Sequence, residues 1–397
     1  MPKPKVLILT SSYPKYKGDI NGNFVYELAT RLKSEFEIFI LTPAFRNSLN
    51  YDIIDDIKIY RHKQFFIEKV ELAYGSDILA KIRKNLAYLF VVPFYLLYQF
   101  ISLRKIVKNE KIQIIHAHWL IPQGFLAVLY KTFINTDIKI VATAHGADIN
   151  SFDNFIGKRL KGYILKRIDQ LTVVSNALKE KAIGIGYNNE VHVFPMGIDT
   201  KLFTPDKKDN SLKIKYKISG NFLLFVGGII ERKGIRYLIQ AIPAVIKKFP
   251  GAKLLVIGEG NLSNEMSELA ESLSISNNII FIGPIPHVDL PPYFATADVF
   301  ILPSLSEGFG LVIIEAMSCG TIPIATDLAV IHDIIQNNIT GIFIDIKNPI
   351  DISQKIINYL SNKEKLVPMK VKAREFVVNN FDWEIVKKNY SKLLSSL

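Results

Sequence analysis

The chain has 397 residues, of which 49% are hydrophobic and 22% charged, so it can bury large cores and is not mainly disordered. The one cysteine, Cys319, excludes a disulfide framework and a cysteine-based zinc site, and it indicates a reduced, cytosolic setting. The net charge of +12 favours an anionic partner. It is uneven: residues 1–200 carry +9 and residues 201–397 carry +3.

The apolar run near the start is too short for a signal peptide. We predict instead that residues 6–10 form the first strand. The most apolar window is 86–103, with basic residues on both sides. We favour a helix packed on a sheet for this window. A helix at an anionic membrane interface is the alternative. A membrane-spanning helix is least favoured, since crossing takes about 20 apolar residues.

Short apolar strands alternate with amphipathic helices along the whole chain, which predicts α/β domains with parallel sheets. The pattern restarts at residue 222, so we expect two such domains, joined by a hinge at residues 194–205. The predicted strands are 6–10, 37–41, 112–116, 139–143, 171–174, 222–226, 253–257, 279–282, 299–302 and 321–325. The predicted helices include 24–32, 176–182 after the N-cap Ser175, 233–249 and 383–394.

Ligands of open parallel sheets bind beyond the carboxyl ends of the strands, and three segments of the first half follow strands. Loop 11–23 is either an anion site, with Gly22 before a helix, or a plain surface loop. His116 and His118 end a strand, and we expect them on opposite faces, one towards the ligand and one towards the packing. His145 precedes Gly146 and Asp148 and could contact a phosphate or a sugar hydroxyl; the alternative is a turn with a solvated aspartate.

Residues 226–234 in the second half combine a strand, a double glycine, two cations and a helix. Gly228, Arg232 and Lys233 therefore predict a phosphate cradle rather than an exposed basic helix start. The Walker A pattern is missing, as is the G-x-G-x-x-G fingerprint of dinucleotide-binding enzymes, which disfavours an NAD-dependent dehydrogenase.

The strongest segment is 303–320, in which Glu307 lies in a glycine-flanked loop and Glu315 on the helix that follows. The backbone N–H groups of Phe309, Gly310 and Leu311 would face an anion. The two carboxylates suit sugar hydroxyls, one on a donor sugar and one on a ribose.

The stretch EGFGLVIIEAMSCG resembles the E-x7-E motif of retaining, nucleotide-sugar-dependent family 4 glycosyltransferases. Other segments resemble the family in the same order and cover essentially the whole chain: IIHAHWLIPQG, ATAHGAD, FPMGIDTKLF, VGGIIERKG, VIGEG, FATADVFILPS and FDW.

The resemblance implies a GT-B fold, with two Rossmann-like parallel-sheet domains facing a cleft. Residues 1–195 would form the acceptor domain, with a returning helix at 381–397, and residues 196–380 the nucleotide-sugar donor domain. It also implies retention of anomeric configuration, no cofactor and no metal.

The resemblance assigns roles by position. Lys233 would hold the donor diphosphate, Glu315 the ribose and Glu307 the donor sugar. His118 and His145 would line the reaction centre with Glu307, and Asp148 would lie on the acceptor side. The remaining donor-binding residues would be Gly22, Gly228, Arg232, Phe309, Gly310 and Leu311. The chain departs from the family at Gly228, where arginine is usual, at Met196 and at residues 329–333.

The predicted function is therefore transfer of a hexose from a UDP- or GDP-sugar to a glycan or lipid-linked acceptor, in cell-envelope polysaccharide, lipopolysaccharide or glycolipid synthesis. The expected location is the cytoplasm. Peripheral contact with the inner face of the cytoplasmic membrane is the second expectation. Nucleic acid is not expected as a partner, because the basic residues do not alternate with aromatic ones. A nucleotide-sugar epimerase of the same fold and a non-catalytic sugar-binding relative are the alternatives.

Overall fold

The computed structural model describes residues 2–19, 22–67, 70–73, 78–151, 153–362, 364 and 367–397. The chain forms two compact units. Unit 1 comprises Met1–Pro195 and Val386–Leu397, and unit 2 comprises Met196–Ile385.

Unit 1 is built on an eight-stranded sheet in the order β3-β4-β2-β1-β5-β6-β7-β8. All neighbouring strands are parallel except the edge pair β3–β4, which is antiparallel. The strands are β1 (Lys5–Leu9), β2 (Glu37–Pro43), β3 (Tyr51–Ile54), β4 (Ile57–His62), β5 (Ile114–His118), β6 (Lys139–Ala144), β7 (Gln170–Val173) and β8 (Val191–Val193). The helices are α1 (Asn23–Leu32), α2 (Ile78–Lys84), α3 (Tyr88–Glu110), α4 (Phe125–Phe133), α5 (Ala147–Asn150), α6 (Phe155–Leu165) and α7 (Asn176–Gly184).

Unit 2 has a six-stranded parallel sheet in the order β11-β10-β9-β12-β13-β14. Its strands are β9 (Phe222–Val226), β10 (Lys253–Ile257), β11 (Ile279–Gly283), β12 (Val299–Leu302), β13 (Pro323–Thr326) and β14 (Ile342–Ile344). The helices are α8 (Ser211–Lys215), α9 (Ile235–Lys248), α10 (Ser263–Ser272), α11 (Pro291–Thr296), α12 (Leu311–Ser318), α13 (Pro349–Asn362) and α14 (Val367–Phe381). A last helix, α15 (Trp383–Ser395), ends the chain.

The strand sequences explain the two sheets. Central strands such as β1, KVLIL, and β9, FLLFV, are almost continuously apolar and buried, as expected for parallel strands covered on both faces. At the edge of unit 1, Asp55 and Asp56 both have positive φ in the two-residue turn between β3 and β4, the geometry of a type I′ hairpin. The predicted α/β class with two parallel-sheet domains is confirmed.

Helix α3 contains the apolar window 86–103. One stripe, which includes Val91, Tyr95 and Leu103, is buried, and the helix packs against β2 and β4 as predicted. The opposite stripe is exposed and carries Phe90 and Leu97. In the described part of the chain, α3 is the one helix long and apolar enough to cross a membrane, and 33% of its apolar window is buried.

Candidate active site

Two histidines meet at the carboxyl ends of neighbouring strands in unit 1. The rings of His118, which ends β5, and His145, which follows β6, stack with centroids 5.1 Å apart. His118 Nδ1 lies 3.0 Å from His145 Nε2, so one nitrogen donates a hydrogen bond and the other accepts it. The rings of Phe24 and Trp119 each lie 5.0 Å from that of His145.

The expectation that His116 and His118 occupy opposite faces of their strand is wrong. Their ring centroids are 4.4 Å apart. Successive side chains alternate along a strand, so residues two apart share a face. His116 therefore lies directly behind the His118–His145 pair.

His116 is held by a hydroxyl network that the sequence reasoning missed. Its Nε2 lies 2.7 Å from Thr143 Oγ1, which in turn lies 2.6 Å from Thr172 Oγ1. The Tyr390 hydroxyl completes the network at 3.3 Å from Thr143 Oγ1 and 3.4 Å from Thr172 Oγ1. No sequence signal connects Tyr390 to a histidine that lies in a distant part of the chain.

Burial keeps these imidazoles neutral near pH 7. It lowers the pKa of His116 to about 3, and burial together with the neighbouring His116 lowers the pKa of His145 to about 3. The pKa of His118 is also well below its ordinary value, first through burial and then through the two neighbouring histidines. Among the described residues, His118 Nε2 and His116 Nδ1 are buried without a hydrogen-bond partner.

Asp148 is buried and binds backbone rather than solvent. Its Oδ2 accepts from the Leu120 N–H at 2.7 Å, and its Oδ1 accepts from the His145 and Gly146 N–H groups at 3.1 Å each. Burial raises the pKa of the carboxyl group, and the backbone donors oppose that rise. Asp148 thus ties the loop after β5 to the loop that carries His145.

Gly22 has a φ of 68° and caps α1. A Cβ at this position would collide with the carbonyl oxygen of Ser12, so the close approach within loop 11–23 requires glycine. Residues 20 and 21 of this loop lie outside the described residues.

In unit 2, the predicted phosphate cradle and the acidic loop come together. Lys233 Nζ donates to Glu307 Oε1 at 2.6 Å, and Ser304 Oγ donates to the same oxygen at 2.6 Å. Arg232 Nη1 lies 3.7 Å from Glu307 Oε2 and donates to the Ser306 carbonyl at 3.1 Å. Ser304 was missed from the sequence, although a hydroxyl three residues before a loop glutamate is a local signal.

The glycines of unit 2 have different parts in this contact. Gly234 has a φ of 64°, and a Cβ there would collide with the Pro303 carbonyl oxygen, so glycine permits the approach of the two segments. At Gly228 a Cβ would make only ordinary van der Waals contacts. Steric crowding therefore does not explain why this chain has glycine where the family that it resembles usually has arginine.

Glu315 lies on α12, which begins at Leu311 after Gly310 in a left-handed conformation, φ 106°. Glu315 Oε1 lies 2.9 Å from His287 Nε2, a partner that the sequence reasoning missed. Glu315 Oε2 is buried with no hydrogen-bond partner in the described part of the chain. The Phe309 side chain is buried, with its ring 5.9 Å from that of Phe381.

The two units thus offer different chemistry. Unit 2 presents two cations, a helix start and two carboxylates, which suit a diphosphate and sugar hydroxyls. Unit 1 presents neutral imidazoles in an aromatic setting. Within the described ranges, no three His, Cys, Asp or Glu side chains come together as a metal-binding group.

Two family models match consecutive parts of the chain. The model described as Glycosyltransferase Family 4 matches residues 22–202, and the model described as Glycosyl transferases group 1 matches residues 206–376.

Curated relatives are similar over much of the chain. N-acetyl-alpha-D-glucosaminyl L-malate synthase of Bacillus anthracis is 28% identical over 335 residues, which cover 82% of this chain and 85% of the relative. A GDP-mannose-dependent alpha-(1-6)-phosphatidylinositol monomannoside mannosyltransferase of Mycobacterium tuberculosis is 25% identical over 256 residues, which cover 62% of this chain and 66% of the relative.

Solved structures show the same fold over nearly the full length. Sucrose-phosphate synthase from Thermosynechococcus elongatus matches with a TM-score of 0.81 and 18% identity over 99% of both chains. Anabaena HepE, solved in complex with UDP and glucose, matches with a TM-score of 0.76 and 16% identity over 99% of this chain and 100% of that one. The predicted GT-B fold is confirmed.

Proposed function

We propose a specific reaction for this chain, which belongs to the family 4 glycosyltransferases. It transfers a hexose from a UDP- or GDP-sugar to a hydroxyl of a glycan or lipid-linked acceptor, with retention of the anomeric configuration. The contact between Lys233 and Glu307 is the observation that carries this proposal. It brings the side chain predicted to bind the diphosphate next to the side chain predicted to bind the donor sugar.

The ion pairs at Glu307 suit a site that binds an anionic donor. Lys233 and Arg232 both face this one carboxylate, so the cluster has an excess positive charge. A nucleoside diphosphate draws both cations to its phosphate oxygens, which accept charge-assisted hydrogen bonds. Glu307 is then free to accept from sugar hydroxyls, while Ser304 holds its orientation.

Glu315 supplies the ribose contact of the proposal. Its Oε2 is buried and without a partner among the described residues, a costly state that a ribose hydroxyl relieves. His287 holds the other oxygen at 2.9 Å and fixes the direction of the carboxylate.

These contacts support the following transfer step. The bond between the sugar C1 and the diphosphate oxygen breaks, and its electron pair leaves with the diphosphate. The acceptor hydroxyl oxygen bonds to C1 on the vacated face, and its proton passes to the departing phosphate oxygen. Lys233, Arg232 and the backbone N–H groups at the start of α12 stabilise the charge that develops on the leaving group.

The neutral histidines fit the other half of this charge distribution. The sugar becomes oxocarbenium-like as the diphosphate departs. Because His118 and His145 carry no positive charge near pH 7, they hydrogen-bond to sugar or acceptor hydroxyls without opposing the charge on the sugar. Asp148 supports them by holding their loops, in place of the acceptor contact predicted from the resemblance.

We assign the acceptor to cell-envelope polysaccharide or glycolipid synthesis, at the inner face of the cytoplasmic membrane. The charge of +9 over residues 1–200 and the exposed apolar stripe of α3 support peripheral contact with an anionic bilayer. A relative that is named for a phosphatidylinositol monomannoside acceptor supports a lipid-linked substrate. Cosedimentation with anionic liposomes that is lost at high salt is the expected result, and no binding at low salt would contradict the membrane contact.

A thermal-shift screen of UDP- and GDP-sugars tests the donor assignment. A donor that binds the folded state raises the unfolding midpoint. We expect one donor class to do so in the wild type and in Lys247→Ala, which removes an exposed cation from the far end of α9. Lys233→Ala should lose most of the shift. An equal shift in Lys233→Ala would contradict the diphosphate contact.

A further inference from the structure

A pocket in unit 1 lies outside the site described above. It is formed by the loop after β2 and the segment after β4, and Phe45, Arg46, Ser48, Lys63 and Phe65 are among the residues that line it. We call it the β2–β4 pocket.

The walls of the β2–β4 pocket are tied together by one buried amide. Gln64 Nε2 donates to the Ala44 carbonyl at 2.6 Å. Gln64 Oε1 accepts from the backbone N–H groups of Leu72 and Ala73 at 2.6 and 2.8 Å. The loop after β2 and the segment around residue 72 therefore keep a fixed spacing, as a binding pocket requires.

The described residues of the pocket carry an excess of positive charge. The side chains of Arg46 and Lys63 are exposed and form no ion pair or hydrogen bond with any residue that the structure describes. Glu71 is the acidic residue in the described lining, and its carboxylate already accepts from the Arg46 backbone N–H. Lys81 adds a cation at the Glu71 carbonyl, 2.8 Å away. The exposed side chains of Arg46 and Lys63 suit a phosphate group.

An apolar surface begins at the wall of this pocket. Phe65 packs against Phe94 with ring centroids 5.2 Å apart, and Phe66 and Phe90 pack against the same ring at 5.7 and 5.6 Å. The surface continues along the exposed stripe of α3. We call it the α3 ridge, and its exposed members are Phe66, Ile67, Leu86, Leu89, Phe90, Leu97 and Ile101.

The sheet topology relates the pocket to the histidines. Strands β4, β2, β1, β5 and β6 are neighbours in this order and all run parallel. Their carboxyl ends therefore lie along one edge of the sheet. Neighbouring strands lie about 4.8 Å apart. The order β4-β2-β1-β5-β6 then places the pocket about 10–20 Å along this edge from the His118–His145 pair, the scale of a lipid head group with attached sugar.

We infer that the β2–β4 pocket binds the phosphate of a phospholipid-type acceptor, whose hydrocarbon chain lies on the α3 ridge. A cationic pocket alone would also take a soluble phosphate, but the contiguous exposed apolar surface commits the site to a lipid. The identification of this lipid as the sugar acceptor rests on the proposed function.

Calorimetric titration with a short-chain phosphatidylglycerol, kept monomeric, tests the pocket without a bilayer. The wild type should bind it and bind inorganic phosphate much more weakly. Arg46→Ala/Lys63→Ala should bind it at least about tenfold more weakly, the loss expected for charge-assisted hydrogen bonds. The matched control is Lys158→Ala/Lys166→Ala, which removes two exposed cations elsewhere in unit 1 and should bind like the wild type.

The ridge is tested on vesicles. Phe90→Ser/Leu97→Ser should reduce flotation with vesicles of phosphatidylcholine and phosphatidylglycerol, and the pocket variant should lose the preference for these over pure phosphatidylcholine. Equal binding by the pocket variant and the Lys158→Ala/Lys166→Ala control would overturn the pocket. Equal affinity of the wild type for inorganic phosphate and the lipid would overturn the lipid assignment.

The thermal-shift screen of the wild type separates the proposed sugar transfer from the proposed lipid pocket. If no UDP- or GDP-sugar raises its unfolding midpoint, the proposed transfer fails, whatever the lipid binding. If a donor binds and the pocket variant still takes the lipid normally, only the inference about the pocket fails.

Discussion

The site residues of unit 2 are charged and ion-paired, whereas those of unit 1 are buried and neutral. In unit 2, Glu307 is held by Lys233, Arg232 and Ser304. In unit 1, His116, His118 and His145 are held by each other, by hydroxyl groups and by aromatic rings. In the proposed reaction, each unit therefore faces a different charge.

The difference matches what the proposed glycosyl transfer needs. The leaving diphosphate is an anion and gains charge in the transition state, so preorganised cations stabilise it. The sugar becomes positive at the same time, and in the proposed reaction a cationic histidine would oppose that charge. In the proposed reaction, burial of the histidines therefore matters as much as the two cations that face Glu307.

The largest expected effect is at Lys233. Lys233→Ala removes the cation that lies closest to Glu307 and should lower kcat/KM by about 10²–10³-fold, as loss of a charge-stabilising donor does. Steady-state kinetics of sugar transfer would measure it. Lys247→Ala serves as the control on α9, and a comparable loss in that variant would show that charge alone, rather than position, decides the effect.

Glu307→Ala comes next, with an expected loss of about 10²-fold in turnover. It removes the proposed sugar contact and leaves Ser304 without its acceptor. Glu307→Gln keeps one acceptor oxygen and should recover part of the rate. Near-wild-type transfer by Glu307→Ala would refute the contact between Glu307 and the donor sugar.

The same comparison separates what the sequence could and could not predict. Glu307, Glu315 and Lys233 follow strands of a regular α/β pattern, and parallel strands bring such segments to one edge. Tyr390 had no such signal, because it reaches the site through tertiary packing from the last helix. His287 follows β11, so the same rule could have found it, although nothing in the sequence indicated its contact with Glu315. The predicted opposite faces of His116 and His118 are wrong for a different reason, since side chains alternate along a strand and residues two apart share a face.

Asp148 tests the support of the histidine site. Asp148→Asn replaces one acceptor oxygen with an NH2 group that faces backbone donors, so we expect a loss of about 2 kcal/mol in the free energy of unfolding. Urea unfolding, followed by the fluorescence of Trp119 in a Trp383→Phe background, would measure it in unit 1. An unchanged midpoint would show that the backbone donors find other partners.

The most gradual expected effect is the pH dependence of unit 1. The pKa values of His116 and His145 are about 3 when folded and near 6.5 when unfolded, so the unfolded chain binds more protons in between. The contribution of these histidines to the free energy of unfolding is complete above about pH 6.5. It falls by up to about 1.4 kcal/mol per histidine for each pH unit below that, down to pH 3. His62, with a pKa of about 4, acts in the same direction.

Single-tryptophan variants measure this dependence unit by unit. Trp119 reports unit 1 and Trp383 reports unit 2, and the chain has two tryptophans. Between pH 6.5 and pH 5.5 the unfolding free energy read by Trp119 should fall more steeply, and His116→Gln should reduce its slope. Equal slopes in the two units would contradict the buried, neutral state of the histidines.

Analysis of the reaction products by NMR tests the central claim most directly. The protein is incubated with the donor found in the thermal-shift screen and a phospholipid-type acceptor, and the sugar C1 signals are followed. The account predicts a glycosylated acceptor with the anomeric configuration of the donor, formed far more slowly by Lys233→Ala. An isomerised nucleotide-sugar formed without acceptor, or an inverted product, would contradict it.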